Sequence, residues 1–438
     1  MTESNLNSDL KYFLNKVTII SIAPSGRSGS YFVQSILDSH ENIVTIPFFV
    51  NVLRIYENIE KFITQDSIDT DRILNHVCRE SIMKHYFYKE FDEDEKWWEG
   101  LKVLVNGEKK TFHVDVKKFK DYFKKILETL FEENKLSKRN FYFGVHLAWL
   151  YTIKRDPKKI IYIVDQTHNC TRFLQMYKLD SKTKFIHTIR DPRASSYSYR
   201  EHNKFHSGNK YIFSPGVILS TYHYMYFSLA LIHKYKLEWL KKENYFPIKL
   251  EDIHNSYNQV IKDISKWLEI KPSKKLFESS MNDYIWSASS FTHKKSIIGA
   301  DKSSNDPKWK LNLNKSEIKK IEFLSSIFMD EFHYEKFYWN CKKGFFNSVV
   351  MSIKCLFNPD NDMRLFNLKN ILNHTSDQLN EFSKFRTSFN FLLKKFKLRF
   401  LVAFVKVIIS NFKNYFLLRL KIMLYLVKNK PYVCLRKK

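Results

Sequence analysis

Two short stretches carry residue types suited to holding anions. The first, "PSGRSGS" over Pro24–Ser30, follows the β-branched run "KVTIISIA" and precedes "YFVQSILDSH", which has helical periodicity. Strand, small-residue loop and helix make a phosphate cradle, because a helix N-terminus presents unpaired N–H groups and a partial positive charge. Gly26 and Gly29 let the backbone come close to a ligand, Arg27 adds a forked donor, and Ser28 and Ser30 add hydroxyls. The pattern G-x-x-x-x-G-K-[ST], whose lysine serves a γ-phosphate, is absent. The second stretch, "KFIHTIRDPRASSYSY", puts Arg190 just past a strand, Asp191 at an N-cap and Pro192 at the first position of the next helix. Arg190 thus stands at the carboxyl edge of a sheet, where α/β folds bind ligands. Ser195 and Ser198, three residues apart, share one helical face, so Arg190 and Ser198 can grip a second phosphate.

The elements that must position these residues read as an α/β chain. Residues 17–47 predict strand, loop, helix and strand, the last being "NIVTIP". "IIYIV" at 160–164 and "KFIHTI" at 184–189 are short apolar runs of the kind that sit in a buried parallel sheet. A long helix is expected from Ser214 and Pro215, then a strand in "YFPIKLEDI" and an amphipathic helix in "SYNQVIKDISKWLEI". Between about 50 and 158 the pattern is mostly helical, and the acidic run Asp92 to Glu95 reads as a solvated loop or helix end. Residues 1–340 are expected to form one domain with that insertion, and 341–438 a basic helical extension.

The two anion stretches resemble the sulfotransferases that use 3′-phosphoadenosine 5′-phosphosulfate (PAPS). That family carries R-S-G-T/S after its first strand, then a helix and an "LDSHP"-like stretch; here the chain reads "GRSGSYFVQSILDSHENI". Its arginine at a strand end with a serine eight residues on matches Arg190 to Ser198 in "RDPRASSYS". "DQTHN" at 165–169 is similar to its "DKTP", "LEDIHNS" to its "YEDL", and "PKWKLNLNKSEIKKIE" to its closing "G-[KR]-W" segment, so the resemblance spans about 17–336. It implies an α/β fold, a central parallel β-sheet flanked by helices in a P-loop-like sulfotransferase architecture. It also implies PAPS as co-substrate, no metal, and transfer of a sulfuryl group to an acceptor hydroxyl or amine. Carried over by position, Gly26, Arg27, Ser28, Gly29 and Ser30 would hold the 5′-phosphosulfate, and Arg190 and Ser198 the 3′-phosphate.

Sulfuryl transfer is an in-line displacement, so charge developing on the leaving phosphate oxygen must be stabilised and the acceptor's proton removed. Arg27 is the residue expected for the first task. For the second, relatives place a glutamate shortly after the loop helix or a histidine further on. This chain has "IVTIPFFVNVL" where the glutamate would stand, with Glu57 the next acid after Glu41. His168 in "DQTHN" is the best-placed base, followed by Asp165, then His202 in "YREHN" and His40 in "LDSH". Trp309 and Lys310 in "PKWK" either close over the nucleotide or only pack. Two alternatives stay open: a nucleotide or sugar kinase needing ATP and magnesium, and a membrane-bound module whose nucleotide site is degenerate.

Composition bounds the rest. Five widely spaced cysteines without a C-x-x-C pair signal neither a disulfide framework nor a zinc site, and the first fifteen residues carry no secretory pattern, so a cytoplasmic location is expected. Net charge is +27, and Lys384 to Lys438 holds fifteen Lys or Arg and no Asp or Glu. Arg399, Lys406, Lys413, Lys421 and Lys428 fall within a stripe of roughly 80° on a helix otherwise rich in Leu, Phe, Val and Ile, with Arg419 the exception on the opposite face; a helix packed on the catalytic domain with a solvated basic stripe is the alternative reading. That pattern predicts a helix lying on an anionic membrane surface, peripheral on the inner face, too short in its apolar runs to cross. Nucleic acid is not an expected partner, for no recognition motif accompanies the charge. A carbohydrate or lipid-linked glycan is the acceptor that family and tail together suggest.

Overall fold

The computed structural model describes residues 3–38, 40–48, 50–80, 83–91, 102–166, 173–207, 242–286 and 299–338. They belong to two compact units, one made of 1–212 and 223–314, the other of 213–222 and 315–438. In the first, the chain runs α1 (Glu3–Lys16), β1 (Thr18–Pro24), α2 (Ser30–Leu37), β2 (Ile43–Thr45), α3 (Val52–Ile59), α4 (Thr70–Arg79) and α5 (Met83–Phe87). It continues with β3 (Lys102–Val105), β4 (Glu108–Thr111), α6 (Val116–Glu132), α7 (Lys138–Thr152), β5 (Tyr162–Gln166), α8 (Phe173–Leu179), β6 (Lys184–Ile189) and α9 (Pro192–Ser207). After β7 (Tyr245–Lys249) come helices Leu250–Asn255 and Tyr257–Leu268, then β8 (Ser280–Met281), β9 (Tyr284–Trp286) and helix Lys308–Asn312.

Five parallel strands form the central sheet in the order β2-β5-β1-β6-β7. Ile19, Ile20, Ile22, Ile163, Phe185 and Ile186 are fully buried, as expected for strands with helices on both faces. The first strand is central. Its neighbours β5 and β6 come much later in the chain and run parallel to it, so the carboxyl ends of β1, β5 and β6 lie side by side at the edge where open α/β sheets bind ligands. Helices α1, α6 and α7 build a second apolar layer, with Phe13 set edge-on to Phe143 at 6.3 Å and Phe119, Phe123 and Phe141 buried.

The region 50–158 carries helices α3 to α7, as its pattern predicts, and one feature that pattern does not announce. Strands β3 and β4 form a hairpin that β9 and β8 extend into a four-stranded antiparallel sheet. Its turn is Asn106-Gly107, both at positive φ, the pair that two-residue hairpins prefer. The strand expected in "YFPIKLEDI" ends at Lys249, where the chain turns directly into a helix. In the second unit, helices Lys315–Leu324 and Ser326–Glu331 are described, and the buried Glu322 carboxylate accepts the N–H groups of Phe337 and Tyr338 at 2.9 and 2.8 Å. The long helix expected from Ser214, the acidic run at Asp92 and the basic extension lie outside the described residues. Among the described residues no helix is long and apolar enough to cross a membrane.

Candidate functional site

The loop after β1 takes a conformation that ordinary side chains resist. Gly26, Arg27 and Gly29 have φ of 62°, 47° and 80°, in the left-handed region that favours glycine. At Gly29 a Cβ would lie 2.5 Å from Leu250 Cδ1, so any other residue would have to push that side chain aside as well as hold a left-handed φ. Helix α2 starts one residue later, and Val33 N–H donates to the Gly29 carbonyl at 3.0 Å. Among the described residues, the backbone N–H groups of Ser28, Gly29 and Ser30 donate no hydrogen bond. Three adjacent N–H groups at a helix N-terminus form a cradle for an oxyanion.

The serine hydroxyls brace this cradle. Ser28 Oγ donates to the Thr188 carbonyl at 2.8 Å and lies 2.8 Å from Thr188 Oγ1. Ser30 Oγ accepts from Gln166 Nε2 at 2.8 Å, tying the loop to the end of β5. Gln166 Oε1 is buried and makes no hydrogen bond among the described residues. Sequence reasoning passed over Gln166; its place one residue after Asp165 in "DQTHN" was the available signal.

Arg190 reaches the same place from β6. Its Nη1 donates to the Arg27 carbonyl at 3.3 Å, which brings the two anion stretches of the sequence together. Burial, and then the charge of Arg190, push the Arg27 guanidinium down to about 10. Two cations held close favour an anion between or beside them. Glu251 stands behind Arg190, accepting the Asp191 N–H at 2.9 Å; burial raises its carboxyl above the usual range. His254, stacked on Phe32 at 5.3 Å, is pushed down to about 4 by burial and by Arg190, so it adds no positive charge near neutral pH.

Asp191 caps α9 as its place before Pro192 predicts, its Oδ1 taking the Arg193 N–H at 2.8 Å. The Arg193 guanidinium pairs with the same carboxylate at 2.7 Å and lies 4.2 Å over Trp309, which is buried. Trp309 therefore packs on the first turn of α9, with Lys310 at 5.7 Å from its ring. Ser198 is half-buried on α9, and the Ser195 and Ser196 hydroxyls are buried there without a hydrogen bond among the described residues.

The candidate bases scatter. Asp165 sits buried near the end of β5, beside the loop strand, opposite Ser21. His40 is engaged through both nitrogens, with Nε2 at 3.0 Å from the Lys271 carbonyl and Nδ1 accepting from Asn42 N–H. His168 and the His202 side chain lie outside the described residues. Where the glutamate of relatives was expected, Phe48 ends the β2 turn at φ 63°, its ring 4.5 Å from Tyr31. Among the described residues no group of three or more His, Cys, Asp or Glu is placed to hold a metal ion.

The chain is similar in structure to the sulfotransferase domain from the curacin biosynthetic pathway, at 16% identity over 73% of this chain and 98% of that one, with TM-score 0.42. It is similar to the sulfotransferase domain of the Synechococcus PCC 7002 olefin synthase, at 14% identity over 73% and 96% of the two chains, with TM-score 0.38. For retinol dehydratase in complex with androsterone and inactive cofactor PAP, the figures are 14% identity, 74% and 85% coverage, and TM-score 0.28. No curated protein sequence matches the chain. The family rests on the sequence itself, whose residues 17–322 match the model of the sulfotransferase domain, and the chain belongs to that family.

Proposed function

We propose that this sulfotransferase takes its sulfuryl group from PAPS, gripping the nucleotide at both ends. The observation that carries the reading is the contact between Arg190 and the Arg27 carbonyl, which sets a second cation beside the N–H cradle of Ser28 to Ser30. The residues suit such a ligand. Gly29 supplies the left-handed turn that opens the loop, and among the described residues the N–H groups of Ser28 to Ser30 and the hydroxyls of Ser195 and Ser196 make no hydrogen bond. Gly26, Arg27, Ser28, Gly29 and Ser30 would hold the phosphosulfate, Ser28 and Ser30 through their N–H groups, and Arg190 and Ser198 would hold the 3′-phosphate. PAPS supplies a sulfuryl group whose bond to the phosphate oxygen breaks as one to the acceptor oxygen forms. Arg27 stabilises the charge left on that phosphate, and His168 takes the acceptor's proton.

The acceptor in this reading is a hydroxyl of a carbohydrate or lipid-linked glycan, brought to the site by the basic tail on an anionic membrane face. Binding is tested by calorimetry with adenosine 3′,5′-bisphosphate, adenosine 5′-monophosphate and ATP. The bisphosphate should bind tightest, without magnesium, and Arg190→Ala should erase its advantage over the monophosphate. Equal affinity for the three would overturn the two-ended grip. His168→Ala should then lower turnover of PAPS about a hundredfold or more with bisphosphate affinity unchanged. The tail is tested apart: deletion of 385–438 should abolish binding to anionic vesicles, and retained binding would contradict its role.

A further inference from the structure

His187 is a buried imidazole in the central sheet. It lies in β6, opposite Ala23 of β1 and Pro247 of β7, and is fully buried. Its Nε2 is 2.6 Å from Ser25 Oγ, and its Nδ1 is 2.8 Å from the Tyr245 hydroxyl. Burial pushes the imidazole down to about 3. A neutral ring has one donor and one acceptor nitrogen, so either tautomer keeps the line from Tyr245 through His187 to Ser25 hydrogen-bonded. Ser25 and His187 are buried and Tyr245 half-buried, so these polar groups cost more to desolvate than apolar ones, and such a network is worth its cost where it fixes one arrangement.

What it fixes is the first residue of the anion loop. The next residue of β6 does the same work: Thr188 O accepts the Ser25 N–H at 2.9 Å and the Ser28 Oγ–H at 2.8 Å. Two positions further is Arg190, which donates to the Arg27 carbonyl. One strand therefore holds the loop at residues 25, 27 and 28 and also delivers the arginine of the second grip.

We propose that His187 is a positioning residue that sets the spacing between the two anion grips, its ring fixed by Tyr245 and its hold on the loop exerted through Ser25. The inference rests on the two-ended nucleotide reading. A ligand anchored at both ends feels that spacing, whereas one anchored only in the loop does not.

The test is calorimetry on the full chain with adenosine 3′,5′-bisphosphate and adenosine 5′-monophosphate. His187→Leu should weaken the bisphosphate about thirtyfold and the monophosphate only about threefold, as expected when buried hydrogen bonds that orient one grip are lost. His187→Gln, whose amide can still meet Ser25, should restore part of the difference. In an Arg190→Ala background, His187→Leu should affect both ligands alike, the non-additivity of residues acting together. Tyr245→Phe removes one hydroxyl and should narrow the ratio about threefold. Should His187→Leu fail to fold, Tyr245→Phe decides the matter. An unchanged ratio in a folded variant, with the wild type still preferring the bisphosphate, overturns this inference alone. A wild type without that preference overturns the nucleotide reading and this inference with it.

Discussion

Helix α2 has a left-handed backbone turn on either side, and the two are finished in opposite ways. Before it, Gly26, Arg27 and Gly29 turn left-handed and three N–H groups go unspent among the described residues. After it, beyond β2, Phe48 turns left-handed at φ 63° and everything near it is saturated by Gln34 of the same helix. Gln34 Nε2 donates to Thr45 Oγ1, the Ile46 carbonyl and the Phe48 carbonyl at 2.9, 3.1 and 3.1 Å, while its Oε1 accepts the Phe48 N–H at 2.9 Å. A bulky residue in this region is strained and persists where its surroundings over-determine it. The contrast separates a turn whose hydrogen bonds are all made from one that has, among the described residues, N–H groups left to give.

Substitutions can break that contrast on either side. Gly29→Ala should cost about 4 kcal/mol, because it combines a left-handed φ with a 2.5 Å approach to Leu250. Thermal unfolding checks this, and a midpoint near wild type would show that the helix after β7 gives way. Arg190→Ala should leave stability nearly unchanged while lowering bisphosphate affinity about a hundredfold. A parallel loss for the monophosphate would mean that Arg190 serves the loop instead. Gln34→Ala should reverse that pattern: about 2 kcal/mol of stability lost with the Phe48 N–H left unpaired, and nucleotide affinity within about twofold.

Acid should act on the braced interior rather than on the cradle. His146 and His187 are pushed by burial from the ordinary 6.5 down to about 4 and about 3. The unfolded chain takes up these protons first as pH falls. Their contribution is whole above about pH 6.5 and should be lost as pH falls towards 4, about 2 kcal/mol each at pH 5. Urea midpoints at pH 7 and 5 measure it; midpoints that do not move would contradict it. The smallest effect expected is for Lys310→Ala, about 0.5 kcal/mol from its place over Trp309, readable as a small shift in the same midpoints.

Short-range chemistry was legible in the sequence, and contacts across long separations were not. "PSGRSGS" and "RDPRASSYS" announced strand-end loops opening helices, and Asp191 caps α9 as its place before Pro192 foretold. The Asn106-Gly107 turn was equally visible as a dipeptide, yet the charged, helix-rich run around it hid the hairpin. Ser25 and His187 are 162 positions apart and Gln166 and Ser30 136, so no periodicity could pair them. The left-handed Phe48 had no signal of its own, because the residue holding it sits 14 positions earlier on another element.

The position of β1 at the centre of the sheet has a consequence for how the protein is made. Among the described strands β1 pairs with β5 and β6, both much later in the chain, and the loop it carries is braced by Ser25–His187. No partial chain ending before β6 can hold the loop in its finished shape. Closure of such distant contacts is slow and leaves strand edges bare in the meantime. The loop is thus among the last features to mature, and on the proposed reading a truncated or stalled product should bind no nucleotide while presenting β1 as an open, aggregation-prone edge.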